Sequence, residues 1–247
     1  MNKRLGFTLA EVLITLGIIG VVAALTAPAL IQNVGSTKVG PILAKVKSTI
    51  EIANEQILSD NDVNKLSSII DYKGDSAYDS PKIRYCEILS KYIAGSSFKT
   101  STPVKSVDIN PAISHYDNPN IAAGGEKDSG LLYFKDNVEI MFLEYKGGVY
   151  PAKGSYKGQL MSVRVDINGF KNKPNCFGKD IFYFYIDESG QMIPWGSKTH
   201  VWLKENDSPL CDWSDESSMC SCTENKVGNG WGCSGSIFDN NLKVIYQ

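Results

Sequence analysis

The feature that most constrains this chain is an uncharged apolar segment near its N-terminus. Residues 12–31 contain no charged side chain, and Lys3 and Arg4 precede them. An α-helix rises about 1.5 Å per residue, so about 20 such residues match the roughly 30 Å hydrocarbon core of a bilayer. The segment therefore predicts a membrane-spanning helix. Because the nearest basic residue after it is Lys38, the positive-inside bias predicts a cytoplasmic N-terminus and an exported remainder.

Glu11 stands directly before the apolar segment. A carboxylate at the edge of a membrane span is costly, so we expect it to have a function and a positively charged partner at a similar depth. An ordinary secretory signal has a shorter apolar core of about 7–15 residues, which is removed on cleavage. Two alternatives remain for the segment: a plain signal anchor, which has no use for Glu11, or a helix that serves in assembly.

The sequence Gly-Phe-Thr-Leu-Ala-Glu at residues 6–11, followed by the apolar segment, resembles the prepilin cleavage and methylation motif of type IV pilins and type II secretion pseudopilins. In that family a membrane-embedded peptidase cuts after the glycine, methylates the new terminal amine and leaves the apolar helix on the mature chain. The resemblance implies that Gly6 ends a leader and that Phe7 is the methylated N-terminus. It also implies that Glu11 pairs with the Phe7 ammonium of a neighbouring subunit. In the family a proline at the position of Pro28 marks a bend of the stem helix; the alternative is that Pro28 ends the membrane helix.

The same resemblance implies partners and a location. The partners are other pilin or pseudopilin subunits, the prepilin peptidase and an inner-membrane assembly platform. The precursor is expected to be a single-pass inner-membrane protein with its N-terminus inside, and the assembled filament to be periplasmic or extracellular. A pilus, a secretion pseudopilus and a DNA-uptake filament all stay open. The large, loop-rich, cysteine-bearing C-terminal part favours a minor or specialised subunit.

Downstream of the apolar segment the pattern predicts an α+β fold. Glycine and proline at positions 35, 40 and 41 predict a weakened or broken helix over 32–41. Apolar residues then recur at steps of three and four, which predicts an amphipathic helix to about Leu58. This stripe consists of Ile42, Leu43, Val46, Ile50, Ala53 and Ile57. Short helices are predicted near 63–70 and 82–93, and an antiparallel meander with strands near 131–134, 138–143, 160–167, 181–186 and 191–193.

These elements divide the chain into four parts. Residues 1–6 form the leader, 7–31 the transmembrane and assembly helix, and 32–58 the amphipathic continuation of the stem helix. Residues 59–247 form a periplasmic or extracellular pilin-like head, which ends in a disulfide-bonded tail.

The cysteines predict disulfide bonds. They are even in number and concentrated near the C-terminus: Cys86, Cys176, Cys211, Cys220, Cys222 and Cys233. In an exported chain this favours disulfides over zinc, whose usual paired Cys-x-x-Cys spacing is absent. Cys220 and Cys222 are expected to bond to different partners, because a disulfide between residues two apart is strained. We predict a Cys86–Cys176 bond and two bonds among the other four cysteines.

No motif of an enzyme is recognisable. His115 and His200 are the only histidines, and neither lies in a metal-ligand or nucleophile motif. No catalytic residue, cofactor or metal is therefore expected. The formal charge of −2 becomes −4 without Lys3 and Arg4, and the other basic residues are scattered, so no nucleic-acid partner is expected. The alternative function is a signal-anchored exported binding domain that does not polymerise.

The sequence Asp-Ile-Asn-Gly at residues 166–169 resembles the opening of a calcium loop. An EF-hand needs an oxygen ligand at its fifth position and a glutamate at its twelfth, where this chain has Phe170 and Phe177. Two alternatives remain. Asp166, Asn168 and Asp180 could hold calcium, as a C-terminal loop does in some secretion pseudopilins, or the segment forms an Asx-stabilised turn between two strands, which is favoured.

Overall fold

The computed structural model describes residues 9–70, 81–100, 113–114, 122–123, 130–145, 159–169, 171–198, 202–203 and 209–246. Gly6, Phe7, His115 and His200 lie outside the described residues, and so does the side chain of Pro28. The chain divides into two units, residues 1–38 and 39–247.

The first element is a long helix, α1, which spans Leu9–Asp60. It ends close to the predicted position and is not interrupted over residues 32–41, so the break considered there is absent. The physical reason lies in packing, since most helical stability in proteins comes from burial of an apolar face and not from propensity. Val39 is buried, and a Cβ on Gly40 would overlap the carbonyl group of Leu242. Gly40 is therefore required for the close approach of the C-terminal segment. Among the helices of the described residues, none combines the length and the apolar character that crossing a membrane requires.

The second unit also contains three short helices and a six-stranded antiparallel sheet. The helices are α2 (Ser67–Ile70), α3 (Pro81–Tyr92) and α4 (Cys233–Asp239). The sheet strands are β1 (Ser97–Thr100), β4 (Gly130–Tyr133), β5 (Glu139–Tyr145), β6 (Gln159–Asp166), β7 (Ile181–Asp187) and β8 (Met192–Pro194), in the order β1-β4-β5-β6-β7-β8. Two small ribbons pair β2 (Ile113–Ser114) with β3 (Ala122–Ala123), and β9 (Trp202–Leu203) with β10 (Pro209–Cys211).

The α+β class and the predicted antiparallel meander are confirmed. Strands β4 to β8 follow one another in space as in sequence, and each pairs with the next in antiparallel register. The predicted turn between β4 and β5 is a short 3-10 helix, Lys135–Asn137, in which Asp136 and Asn137 have positive φ angles of 67° and 60°. Aspartate and asparagine tolerate this conformation better than most residues. The edge strand β1 and the helix α4 were not predicted.

The sheet has a hydrophobic cluster on each face. Alternating side chains of a strand point to opposite faces, so neighbours such as Phe182 and Tyr183 enter different clusters. The first cluster joins one face to α1 and α3, and the predicted stripe of α1 supplies Leu43, Val46 and Ile50 among others. The second cluster covers the other face with residues of the segment 177–231. The apolar stripe predicted for the second half of α1 is therefore confirmed.

Candidate functional site

The described N-terminal part of α1, residues 9–22, presents its apolar side chains to the surroundings. All of these residues are exposed, and the exposed fractions of the large apolar ones run from 42% at Val12 to 79% at Leu9. Successive helical residues are about 100° apart, so this run exposes apolar groups around its whole circumference. A helix that is apolar all round is typical of segments that lie in a membrane or inside an assembly.

Glu11 lies in the first turn of α1 and is exposed. A carboxylate at a helix N-terminus interacts favourably with the helix macrodipole. The hydroxyl group of Thr15 donates to the carbonyl oxygens of Glu11 and Val12, each at 2.9 Å. The backbone of the helix thus satisfies the Thr15 hydroxyl. Glu11 is the only charged side chain among residues 9–22, so it stands out within the apolar surface.

In the second unit, polar side chains of the stem helix α1 form hydrogen bonds with the backbone of the β7–β8 turn. Asn54 is fully buried, its Nδ2 donates to the carbonyl oxygen of Gly190 at 2.7 Å, and its Oδ1 accepts from the hydroxyl of Tyr85 at 2.7 Å. Glu51 Oε1 accepts from the backbone N–H of Met192 at 3.0 Å and from Lys47. Gly190 has a φ of +86°, and a Cβ there would lie 2.6 Å from the Cβ of Asn54. Only glycine fits this turn against the helix.

A family model described as the prokaryotic N-terminal methylation motif matches residues 1–27. The chain carries a prepilin-type N-terminus. This motif is the hallmark of type IV pilin-like and pseudopilin precursors, so the resemblance drawn from residues 6–11 is confirmed. No curated protein and no solved structure matches the chain. The individual roles of Gly6, Phe7, Glu11 and Pro28 stay predictions.

The C-terminal tail of this prepilin-like chain is crosslinked by two disulfides. Cys211 bonds to Cys220, and Cys222 bonds to Cys233 at the first residue of α4. The prediction that four cysteines pair within the tail, with Cys220 and Cys222 bonded to different partners, is confirmed. Asp239 at the end of α4 holds the same region, since its carboxylate accepts from the Nε1 of Trp213 at 2.7 Å.

The predicted Cys86–Cys176 disulfide is wrong. Both residues are buried cysteines outside the two bonds. Cys86 lies on α3, where its Cβ is 2.8 Å from the position that a Cβ on Gly130 of β4 would take. Cys176 lies in the connection between β6 and β7, and β5 separates β4 from β6. Two strand spacings are about 10 Å, which exceeds the Cα separation of about 7 Å or less that a disulfide requires. Burial raises the pKa of the Cys86 thiol.

The loop between β6 and β7 is the predicted Asx-stabilised turn. Asp166 Oδ1 accepts from the backbone N–H groups of Asn168 at 2.9 Å and Gly169 at 2.8 Å. Both oxygens of Asp180 also face N–H donors, because they accept from the backbone of Asn175 and Cys176 at 2.8 and 2.7 Å. Asp180 is thus occupied as an acceptor through both oxygens, whereas Oδ2 of Asp166 and Oδ1 of Asn168 are buried without a hydrogen-bond partner among the described residues. The described residues contain no group of three or more acidic, histidine or cysteine side chains that could hold a metal ion.

Two buried polar residues were missed at the sequence level. Asn54 lies on the buried stripe of α1, because it follows Ile50 by four residues and precedes Ile57 by three. Arg164 lies in β6 and is 7% exposed. Alternation in the run Ser-Val-Arg-Val-Asp at 162–166 was the available signal, because it places Arg164 on the face opposite Val163 and Val165.

Proposed function

We propose that this chain is a structural subunit of a type IV pilus or a type II secretion pseudopilus. Prepilin peptidase cleaves it between Gly6 and Phe7 and methylates the Phe7 amine. The mature chain then polymerises through the first part of α1. Its large head, with two disulfides in the tail, is more in keeping with a minor or specialised subunit than with a bulk one.

The observation that carries this proposal is the methylation motif placed at the start of a long helix. The motif matches residues 1–27, and α1 begins at Leu9. The described side chains of residues 9–22 are exposed and largely apolar. Burial of apolar surface is the main driving force of association, so this surface needs lipid before assembly and neighbouring helices afterwards. The proposed location is accordingly the inner membrane for the precursor and the filament for the mature chain.

Glu11 supplies the proposed register. Two opposite charges about 4 Å apart attract far more strongly in a low-dielectric environment than in water. A Glu11 carboxylate that meets the Phe7 ammonium of the next subunit therefore favours one axial position of the stems. Repetition of this head-to-tail contact does not close on itself, and such contacts generate helical filaments.

The test replaces Glu11 by glutamine in cells that also express the wild-type chain. We expect membrane insertion and cleavage to persist, because the loss of a charge makes the span more apolar and leaves the Gly6–Phe7 junction intact. Intact mass of the extracted protein should show an N-methylated Phe7 terminus. Incorporation into the sheared filament fraction should fall, because the neighbouring ammonium then lacks its counter-charge, a penalty of about 3–5 kcal/mol.

The matched control is Glu55→Gln, which removes an exposed carboxylate from the same helix within the second unit. It should be processed and incorporated like the wild type. If Glu11→Gln is incorporated as well as Glu55→Gln, the carboxylate does not set the register. If the mass instead shows a retained Met1, or a cut beyond Ile31, the chain is an anchored or secreted domain and not a filament subunit.

A further inference from the structure

Arg164 of β6 lies among aromatic rings on the sheet face of the second hydrophobic cluster. Its Cζ is 5.5 Å from the ring centroid of Phe177 and 5.6 Å from that of Tyr183. Tyr183 in turn contacts Trp195 and Trp231, with centroids 4.8 and 6.0 Å apart. We call these five residues the arginine–aromatic cluster. Two of its rings, Phe177 and Tyr183, contact the guanidinium group, and the two tryptophan rings pack against Tyr183.

The guanidinium group lacks the partners that a buried charge requires. Its Nε and Nη1 atoms are buried, and no acceptor in the described part of the chain forms a hydrogen bond with either. No ion pair of Arg164 occurs among the described residues either. The guanidinium group of arginine is permanently charged in proteins, so its burial has to be offset by contacts. Cation–π contacts with two rings offset part of the desolvation and leave the N–H groups of Nε and Nη1 without an acceptor.

Asp166 lies on the same strand face as Arg164 but forms no ion pair with it. Asp166 follows Arg164 by two residues, and its Oδ1 accepts from the backbone of Asn168 and Gly169. Asp180 accepts from the backbone of Asn175 and Cys176. These hydrogen bonds hold both carboxylates in the β6–β7 loop. Oδ2 of Asp166 is buried without a hydrogen-bond partner, and among the described residues no ion pair joins either carboxylate to Arg164.

We propose that the arginine–aromatic cluster is a binding site for the carboxylate group of a ligand from outside this chain. The planar guanidinium fork matches the two oxygens of a carboxylate, and the flat rings restrict the approach to the guanidinium plane. Trp231 is the least buried of the four rings. A free organic acid and an acidic side chain of another protein offer the same chemistry. The proposal does not depend on filament formation.

The test follows the Nε–Hε resonance of Arg164 by NMR in the full chain, purified in detergent. The chain has three arginines, Arg4, Arg84 and Arg164. The variants Arg4→Lys and Arg84→Lys therefore assign the three signals without altering Arg164. The protein is titrated with acetate, with N-acetyl-glutamate amide and, at equal ionic strength, with chloride. Thermal unfolding is measured under the same conditions for the wild type, Arg164→Met and the control Arg84→Met.

The carboxylates should shift the Arg164 signal in a saturable manner, leave the Arg84 signal in place and raise the unfolding midpoint by several degrees. Arg164→Met should abolish the rise, and Arg84→Met should retain it. Tighter binding of acetate would identify a free acid as the source, and tighter binding of the glutamate derivative a protein side chain. If chloride has the same effect, or the Arg164 signal does not move, the proposal is overturned. The wild-type titration decides this even if Arg164→Met fails to fold.

Discussion

The two halves of α1 are both rich in apolar residues, yet they use them differently. In the first unit, every side chain of residues 9–22 is exposed. In the second unit, the same helix buries Leu43, Val46 and Ile50 in the cluster shared with the sheet. The difference is visible in the sequence pattern. The first half is apolar in all directions, whereas the second repeats its apolar residues at steps of three and four with charged residues between them.

Periodicity distinguishes an apolar surface that packs within the chain from one that is covered by its surroundings. A stripe with helical period can be covered by one partner surface, which here is the sheet of the same chain. An apolar segment without a period has no single face to cover, so it needs an environment that surrounds it. This difference supports the proposal that the first half of α1 is a membrane and assembly segment. It also predicts that equivalent mutations in the two halves have unequal effects on the stability of the second unit.

The largest expected effect comes from truncating the same residue type in each half. Ile50→Ala removes buried methyl groups from the first cluster and should lower the free energy of unfolding by about 2–5 kcal/mol. Ile18→Ala acts at a side chain that is 60% exposed and should change it by no more than about 0.5 kcal/mol. Urea unfolding in detergent, followed by tryptophan fluorescence, measures both. If both variants lose the same free energy of unfolding, the two halves of α1 contribute equally to the stability of the folded chain, and the comparison fails.

The next effect concerns the crosslinked tail. Replacing Cys222 and Cys233 by serine removes the bond at the start of α4. A disulfide that closes a loop of about 15 residues contributes about 3 kcal/mol, and this shorter loop should contribute slightly less. Limited proteolysis should then cut the tail first. In the wild type without reductant, only Cys86 and Cys176 should react with iodoacetamide, and only after unfolding. Stoichiometric zinc with six reactive thiols would contradict the disulfides.

The sequence specified local patterns well and long-range partners poorly. The strands β4 to β8 could be predicted because alternating and aromatic runs are short and separated by turn residues. Pairing of the four tail cysteines among themselves could be predicted because they lie close together in the sequence, whereas the choice of Cys211 as the partner of Cys220 could not. Cys86 could not be placed, since its distance from Cys176 depends on which strand α3 covers. Burial of Asn54 likewise depends on the β7–β8 turn, which is 136 residues away along the chain. Strand β1 lies in a region without a clear period, and its pairing with β4 is a tertiary feature.

A smaller effect is expected at Asn54, in the second half of α1. Asn54→Leu should place an apolar group on the stripe but leave the carbonyl oxygen of Gly190 and the hydroxyl of Tyr85 without this partner. Loss of partners for buried polar groups costs about 1–3 kcal/mol, which exceeds the gain from the added methyl groups. Gln56→Leu alters an exposed amide of the same helix and serves as the control. Chemical denaturation of both variants gives the difference. A stabilised Asn54→Leu variant would show that the hydrogen bonds do not matter to stability.

The smallest effect, counted as the change in the free energy of unfolding per pH unit, is the response of the second unit to pH, and it depends on Asp166. Burial of Asp166, together with the nearby charges of Asp180 and Glu139, raises its pKa to about 7. The pKa of Asp180 is also raised by burial. Between the ordinary aspartate pKa of about 4 and the folded value, the native state holds a proton that the unfolded state has released. Stability should therefore fall as pH rises through this window, by at most about 1.4 kcal/mol per pH unit for one group.

Asp166→Asn tests this sign. The amide oxygen can still accept from the backbone of Asn168 and Gly169, while the ionisable group is gone. The variant should therefore show a flatter stability profile between pH 4 and pH 7 and should equal or exceed the wild type above pH 7; Asp180 should leave a residual slope. Asp215→Asn is the matched control, because hydrogen bonds from Ser217 lower the pKa of Asp215, and its linkage then lies below the tested window with the opposite sign. Urea midpoints at each pH measure the profiles. A slope unchanged by Asp166→Asn would show that the carboxylate is ionised in the folded protein throughout this range, and that the β6–β7 loop tolerates its charge without losing stability.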